Sequence, residues 1–299
     1  MIGRIVEIAE EGRYVALSRG FLTVKSGEET LGTVPLDDLA VVIFSAHGLT
    51  TSNSLMVGLA ERGILLVLCG ANHLPAALVW PLAGHHAQSG RIADQAAASK
   101  PLKKRLWSQI VRAKIRQQGA TLAQCGAPHG GFALLARKVK SGDPENVEAE
   151  AARRYWPLLF GPDFRRDRAA PGLNGLLNYG YTVLRSGVAR AVVASGLSPS
   201  LGLMHSSRVN AMVLVDDLME PFRPLVDREV WRLRQEGTEE VTREAKAALA
   251  RIMILDLPTE QGISTVMTAA ERLAQSLAKA LAGEGEALAL PRDRLPLTG

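Results

Sequence analysis

Over the first 84 positions, apolar residues come in short runs separated by turn residues. Arg4–Ala9 and Tyr14–Ser18 alternate, and Phe21–Lys25 and Thr30–Val34 follow turns. Leu39–Phe44 is continuously apolar, the pattern of a strand covered on both faces. Thr51 and Ser52 can cap a helix predicted from Asn53 to Arg62. Ile64–Cys69 and Ala76–Trp80 complete a set of short strands whose spacing predicts a sandwich or meander. The longest apolar stretch, Ile64 to Leu82, contains Gly70, Asn72, His73, Pro75 and Pro81. It reads as two strands around a turn, not as a membrane span.

Between Gly84 and Ser99 the chain turns small and polar (GHHAQSGRIADQAAAS), which reads as a linker with room for one short helix. Beyond it the apolar period becomes helical almost to the end. Leu102, Leu106 and Ile110, with Trp107, Val111 and Ile115, form one apolar face and leave the basic residues mainly outside. In Ser141–Gly161, Asp143 is the expected N-cap with Pro144 in the first turn, and Val147, Ala151, Tyr155 and Leu158 form a stripe. A loop over Gly161–Gly172 precedes a long helix, Leu173–Ala194. Val209–Glu220, Asp227–Glu236, Thr242–Met253 and Ile263–Leu281 are further predicted helices. The fold class is therefore α+β: an N-terminal β-rich domain (1–84), a linker (85–99), an all-helical domain (100–283) and a flexible tail (284–299).

Composition adds constraints. The 299 residues are 47% hydrophobic, enough for two domains with real cores. The two cysteines, Cys69 and Cys125, have no zinc or disulfide spacing, and MIGRIVEIAEEGR lacks a signal-peptide core. Both fit a reducing cytoplasm. The net charge of +5 is unevenly spread: no acidic residue lies between Gln95 and Gly142, while ten basic ones run from Lys100 to Lys140. Such a run lacks the i,i+4 ion pairs that support an exposed helix, which favours a phosphate-binding surface over a merely solvated one. Arg165, Arg166 and Arg168 in the next loop are either phosphate contacts or solvated, and Asn174, Asn178, Tyr179 and Tyr181 suggest a polar network.

The richest chemistry lies in Gly196–Pro224, GLSPSLGLMHSSRVNAMVLVDDLMEPFRP, with His205, Asp216, Asp217 and Glu220. Asp217 and Glu220 are three apart and share a helix face. Acids ending so apolar a helix need a cation or a hydrogen-bond network. One helix from 205 to 220 would hold His205 ~22 Å from Glu220, whereas ligands of one metal sit about 2 Å from it. Either His205 is unrelated to the acids, or Ser206-Ser207-Arg208 turns it back against them. Upstream, Glu145, Glu148 and Glu150 compete, and spacing alone does not choose among them; small Ala149, Ala151 and Ala152 would let another helix approach Glu148. His47, His73, His85 and His86 lack partnered acids and read as structural or surface residues.

Four stretches, in order, resemble one family: LWSQIVRAKIRQQ (106–118), NVEAEAARRYW (146–156), LNGLLNYGYTVLRSGVARAVVASGLSPSLGLMH (173–205) and DDLMEPFRPLVD (216–227). They are similar to the CRISPR-associated integrase and endonuclease of spacer acquisition, the universal first Cas protein, and DDLMEPFRP resembles its type II branch. The resemblance implies a metal site of Glu148, His205 and Glu220, with Asp217 as a second acid whose share of the work with Glu220 it leaves open. Two carboxylates and an imidazole suit Mn²⁺ or Mg²⁺. It further implies a helical catalytic domain, joining of a DNA 3′-hydroxyl to a CRISPR repeat by transesterification, and the reverse cleavage. The implied partners are double-stranded DNA (protospacer and repeat), a second copy of the chain in a homodimer whose contacts involve the β-rich domain, and a small dimeric second adaptation protein; no membrane is implied. A stand-alone metal-dependent nuclease on branched repair DNA and a non-catalytic DNA-binding scaffold are the alternative readings.

Overall fold

The structure is a computed structural model that describes residues 3–70, 75–82, 84–207 and 209–292. The chain divides into two compact units, Met1–His86 and Ala87–Gly299.

The first unit is β-rich. Strands β1 (Arg4–Ile8), β5 (Leu39–Phe44), β7 (Leu65–Cys69) and β8 (Pro75–Val79) form one sheet in that order. Strands β4 (Glu29–Pro35), β3 (Phe21–Ser26), β2 (Tyr14–Ser18) and β6 (Thr50–Thr51) form the other. All six residues of β5 are buried, as its apolar run predicts. Val15, Leu22, Val42, Phe44 and Leu66 share one core with Leu55 and Leu59 of α1 (Asn53–Glu61). Ser52 caps α1, its hydroxyl accepting from the Leu55 amide at 3.3 Å. Only β2–β3–β4 is a meander; β5 pairs in parallel with both β1 and β7. Apolar period shows how deeply each strand is buried but not which strand lies beside it, and the parallel pairs are closed by long crossovers through β2–β4 and α1. The turn around Asn72 and His73 lies outside the described residues.

The second unit is mostly helical: α2 (Gln88–Ala97), α3 (Lys100–Gln124), α4 (Gly130–Lys138), α5 (Val147–Phe160), α6 (Leu173–Ala194), α7 (Val213–Met219), α8 (Arg223–Gln235), α9 (Arg243–Ala250) and α10 (Val266–Leu281). Two 3-10 turns, Glu220–Phe222 and Arg251–Ile254, link α7 to α8 and follow α9. The central α6 is apolar on most sides and packs against α7, α8, α9 and α10. Its Gly180 admits α8: a Cβ there would stand 2.5 Å from a Val226 methyl.

Several local readings are corrected. The expected linker carries the one short helix it had room for, α2, but Gln95 there is 1% exposed and from Ala87 onward the stretch belongs to the helical unit. Within Ile263–Leu281 only Val266–Leu281 is helical; Gly262–Thr265 (β10) pairs with Asp256–Thr259 (β9) in a hairpin, because Gly262 sits at φ 102° and Thr265 caps α10. The tail is ordered through Arg292: Leu288 is buried, Glu286 takes a fork of two 2.7 Å bonds from Arg105, and Pro291 bridges to Thr259. Residues 293–299 lie outside the described residues. Asp143 is not the N-cap of α5. Left-handed Asn146 is, and Asp143 reaches across to accept from the Val147 and Glu148 amides, each at 3.0 Å. Leu159, not Leu158, faces the core. Helix α8 starts a turn earlier than expected because Pro224 sits in its first turn, where a missing N–H costs nothing.

Candidate functional site

Helix α3 supplies the site's floor. Its apolar face is as predicted, with Leu106, Trp107, Ile110, Val111 and Ile115 buried. Not all its basic residues point outward, however. Arg112 donates to the Val139 carbonyl at 3.2 and 2.6 Å, which ties α3 to the end of α4. Lys114 turns inward, its Nζ 2.6 Å from Glu148 Oε1 and 2.6 Å from Glu220 Oε2. Glu148 stands in the first turn of α5 and Glu220 opens the 3-10 turn after α7. Two segments 72 residues apart in sequence thus place a carboxylate each on one ammonium. Arg223 closes the far side, its Nε 2.9 Å from Glu220 Oε1.

His205 lies in a loop, not on the helix. The expected helix from Val209 begins only at Val213. Ser207 Oγ accepts from the Val209 and Asn210 amides, and Asn210 Oδ1 accepts from the Met212 amide. These local bonds compete with helix formation. The loop therefore turns back, as one of the two alternatives required, although Arg208 itself lies outside the described residues. Asp217 holds the turned loop. Fully buried, it accepts from the Leu203 amide at 2.8 Å and the Met204 amide at 3.3 Å through Oδ2, and meets His205 Nδ1 at 2.5 Å through Oδ1. Gly202 makes this fold-back possible, since a Cβ there would lie 2.5 Å from the His205 carbonyl oxygen. The edge of the imidazole packs on buried Trp107, ring centres 5.1 Å apart.

Two further anchors brace the loop. Gln95 of α2 donates to the Ser198 and Leu201 carbonyls at 2.9 and 2.7 Å and accepts from the Ser198 amide at 2.8 Å. Arg185 of α6 grips Asp216 with two bonds, 2.6 and 2.9 Å, and reaches Asn210 at 3.1 Å. Neither Gln95 nor Arg185 stands out in the sequence, where a polar residue carries no mark of the backbone carbonyl it will meet.

Electrostatics tie the pieces together. The hydrogen bond to Asp217 is the main cause that raises the His205 pKa above its ordinary value; burial opposes it, and the charges of Glu148 and Glu220 add to the rise. Those charges act on the ring, so His205 and both glutamates share one field. For Glu220, burial alone would raise the pKa, but Arg223 and Lys114 outweigh it and hold it below the usual carboxylate value. For Lys114, burial is likewise outweighed, by Glu220 and then Glu148, and its pKa is raised.

Among the described residues, no three His, Cys, Asp or Glu side chains stand close enough together to hold a metal ion in this arrangement. The donor set nevertheless fits one. Glu220 Oε2 is buried and, although close to Lys114, lacks a partner in hydrogen-bond geometry, so it keeps a lone pair for a cation. The bond at Nδ1 leaves Nε2 of the half-exposed His205 as its second nitrogen donor. Of the acids in question, Glu148 and Glu220 come together, Asp217 is consumed by the loop, and Glu145 and Glu150 pair instead with Lys140 and Arg154. Tyr155 is completely buried and donates to Asp227 at 3.0 Å, a packing role.

The family model for the CRISPR associated protein Cas1 matches residues 6–250. The chain is 36% identical over 274 residues to the CRISPR-associated endonuclease Cas1 of Neisseria meningitidis serogroup C, covering 90% of this chain and 89% of that one. It is 30% identical to a Cas1 endonuclease of Francisella tularensis subsp. novicida over 77% of this chain and 78% of that one. Its fold is similar to a casposase bound to integration product (TM-score 0.80, 20% identity, 95% of this chain and 92% of that one). It is also similar to a Cas1 protein from Thermotoga maritima (TM-score 0.77, 16% identity, 94% and 98%) and to a Cas6-RT-Cas1–Cas2 complex (TM-score 0.76, 20% identity, 98% of this chain and 36% of that one). No helix among the described residues is long and apolar enough to cross a membrane. With the motif order, the β-rich and helical units and the match over most of the length in agreement, the chain belongs to the Cas1 family of CRISPR-associated endonucleases.

Proposed function

We propose that this protein is a metal-dependent DNA integrase that inserts spacer DNA into a CRISPR array and can run the reverse cleavage. The observation that carries the reading is the meeting of Glu148 and Glu220 on one buried cation, with His205 held in the same field by Asp217. Glu148, Glu220 and Nε2 of His205 would hold a Mn²⁺ or Mg²⁺ ion, which when bound supplies Lewis-acid polarisation of a phosphodiester and stabilises the attacking and leaving oxygens. Asp217 acts behind the histidine: it fixes the ring's orientation and leaves one nitrogen outward, as outer carboxylates do for ligating imidazoles. Lys114 would keep its charge beside the phosphate. Arg223 holds Glu220 ionised.

In the joining step a DNA 3′-hydroxyl oxygen bonds to a phosphorus of the repeat, the bond from that phosphorus to its former 3′ oxygen breaks, and the released oxygen gains the proton. One phosphodiester replaces another, so no nucleotide cofactor and no covalent protein–DNA intermediate is needed. The working form is a homodimer, with contacts from the β-rich unit, assembled with a small dimeric second adaptation protein. A complex containing Cas1 and Cas2 among the structural neighbours supports that assembly, and DDLMEPFRP supports the type II branch.

His205→Ala is the test. Joining of a labelled 3′-hydroxyl end to a repeat-containing target should be lost, while gel-shift affinity for the same DNA stays within about twofold, because affinity comes from many phosphate contacts. Near-normal joining by the variant would remove His205 from the reaction. Joining that does not depend on the small partner would favour the stand-alone nuclease.

A further inference from the structure

A cavity of about 170 Å³ opens beside Glu220, bounded by Lys114, Arg166, Arg168, Arg223, Asp227 and Tyr181. Four of these residues are cations, but they are not equally engaged. Lys114 and Arg223 are paired with the glutamates. Arg166 bonds only to neutral oxygens: Asn174 Oδ1 at 2.8 Å, Asn178 Oδ1 at 2.6 Å and the Asp167 carbonyl at 3.1 Å. Its guanidinium also lies 5.5 Å from the centre of the Tyr181 ring. Among the described residues, neither Arg166 nor Arg168 has a carboxylate at ion-pair distance. The acid that acts on Arg166 through space, Asp227, is pushed by burial to a pKa of about 7 and is an incomplete counter-charge near neutrality.

The loop that carries these arginines is built to stay put. Asn174 Nδ2 donates to the Arg165 carbonyl at 3.1 Å, Asn178 Nδ2 donates to the Arg168 carbonyl at 2.9 Å, and the Asp167 amide donates to Asn174 Oδ1 at 3.0 Å. Two asparagines one turn apart on α6 thus fix both the backbone of the loop and the plane of one guanidinium. A half-buried guanidinium fixed in place without an acid is costly unless an anion arrives. Size narrows the anion, since a cavity of about 150 Å³ takes a benzene-sized group. That admits one phosphate group or one base ring, not a whole nucleotide, and the cationic lining selects the phosphate.

We propose that this cavity binds one phosphate of a DNA strand next to the reacting phosphodiester, with Arg166 and Arg168 as its ligands and Asn174 and Asn178 as positioning residues. The inference rests on the DNA-joining reading above. The strand that supplies the 3′-hydroxyl and the repeat strand both carry phosphates, so the test takes each in turn.

Each linkage near the reacting end of either strand is replaced singly by an uncharged methylphosphonate, and affinity is read by fluorescence anisotropy. In the wild type, one linkage in one strand should cost about tenfold when neutralised, the value of a charge-assisted contact. Arg166→Gln should bind the unmodified DNA about tenfold more weakly and become insensitive at that linkage alone. Exposed Arg168→Gln should do the same with smaller amplitude. A melting curve establishes that Arg166→Gln is folded; if it is not, Arg168→Gln decides alone. Sensitivity that is uniform along both strands, or unchanged in the variants, overturns the proposal. A single responsive linkage in a protein that joins no DNA would sustain the phosphate site and sink the joining reaction instead.

Discussion

Asp217 and Asp227 are both buried carboxylates, and their surroundings give them different tasks. Asp217 accepts two backbone amides and an imidazole. Asp227 accepts the hydroxyls of Tyr155 and Tyr181, yet burial outweighs those bonds and the nearby Arg223 and Arg166, and raises its pKa from 3.8 to about 7. The native state therefore keeps this proton up to about pH 7, whereas the unfolded chain releases it near pH 3.8. Between those values the native state binds more protons, so this group's stabilisation is full below the lower value and is lost as pH rises towards the upper one. Asp227→Asn removes that contribution. The stability of the wild type relative to the variant, from urea unfolding midpoints, should fall from pH 4 to pH 7 and level off above; a difference that is flat across this range would show that Asp227 does not titrate there. At this scale the sequence was partly legible. The spacing argument left His205 with two alternatives, and the family pattern pointed to the glutamates. Lys114 was visible only as one of ten basic residues, because nothing in a side chain's identity states that it will turn inward.

At the scale of elements, the periodic segments were read well and their joints were not. The apolar run of β5, the length of α6 and the Ser52 cap follow from local chemistry. The hairpin of β9 and β10 and the late start of α7 depend on one glycine and a few side-chain-to-backbone bonds, which override period. Helix α2 is the most telling case. Its small polar composition gives no sign that Gln95 is buried against the loop that leads to His205. Gln95→Ala would leave the Leu201 carbonyl and the Ser198 amide unpaired and the Ser198 carbonyl with only the 3.4 Å bond from the Leu201 amide, and should cost roughly 2–4 kcal/mol. Hydrogen exchange should show lost protection over 198–205, with DNA affinity nearly unchanged. Wild-type protection in that loop would mean that Asp217 and Arg185 suffice to hold it.

At the scale of the molecule, the acid-free stretch divides its labour. Arg112 and Lys114 face inward, Arg105 is taken by Glu286 and Lys140 by Glu145, which leaves exposed Lys100, Lys104, Arg116, Arg137 and Lys138 and half-exposed Lys103 as candidates for DNA, with Lys103 and Lys104 adjacent at the start of α3. Lys103→Glu with Lys104→Glu should weaken DNA binding and reduce the slope of log affinity against log salt by about 1–2, without a change in melting temperature beyond about 2 °C. An unchanged slope would assign both lysines to solvent. The two-unit organisation was legible because the apolar period changes once along the chain. The tail's return onto α3 was not, since its anchor, Leu288, lies in the short run Ala287–Pro291, which has no helical or strand period to mark it as buried. The ammonium between Glu148 and Glu220 has a consequence for the whole chain's history. Because the protein carries its own counter-ion, the mutual repulsion of the two glutamates is answered within the fold itself. The site can then be assembled and kept without any added cation, and a newcomer to these two carboxylates has to compete with a charge the chain itself supplies.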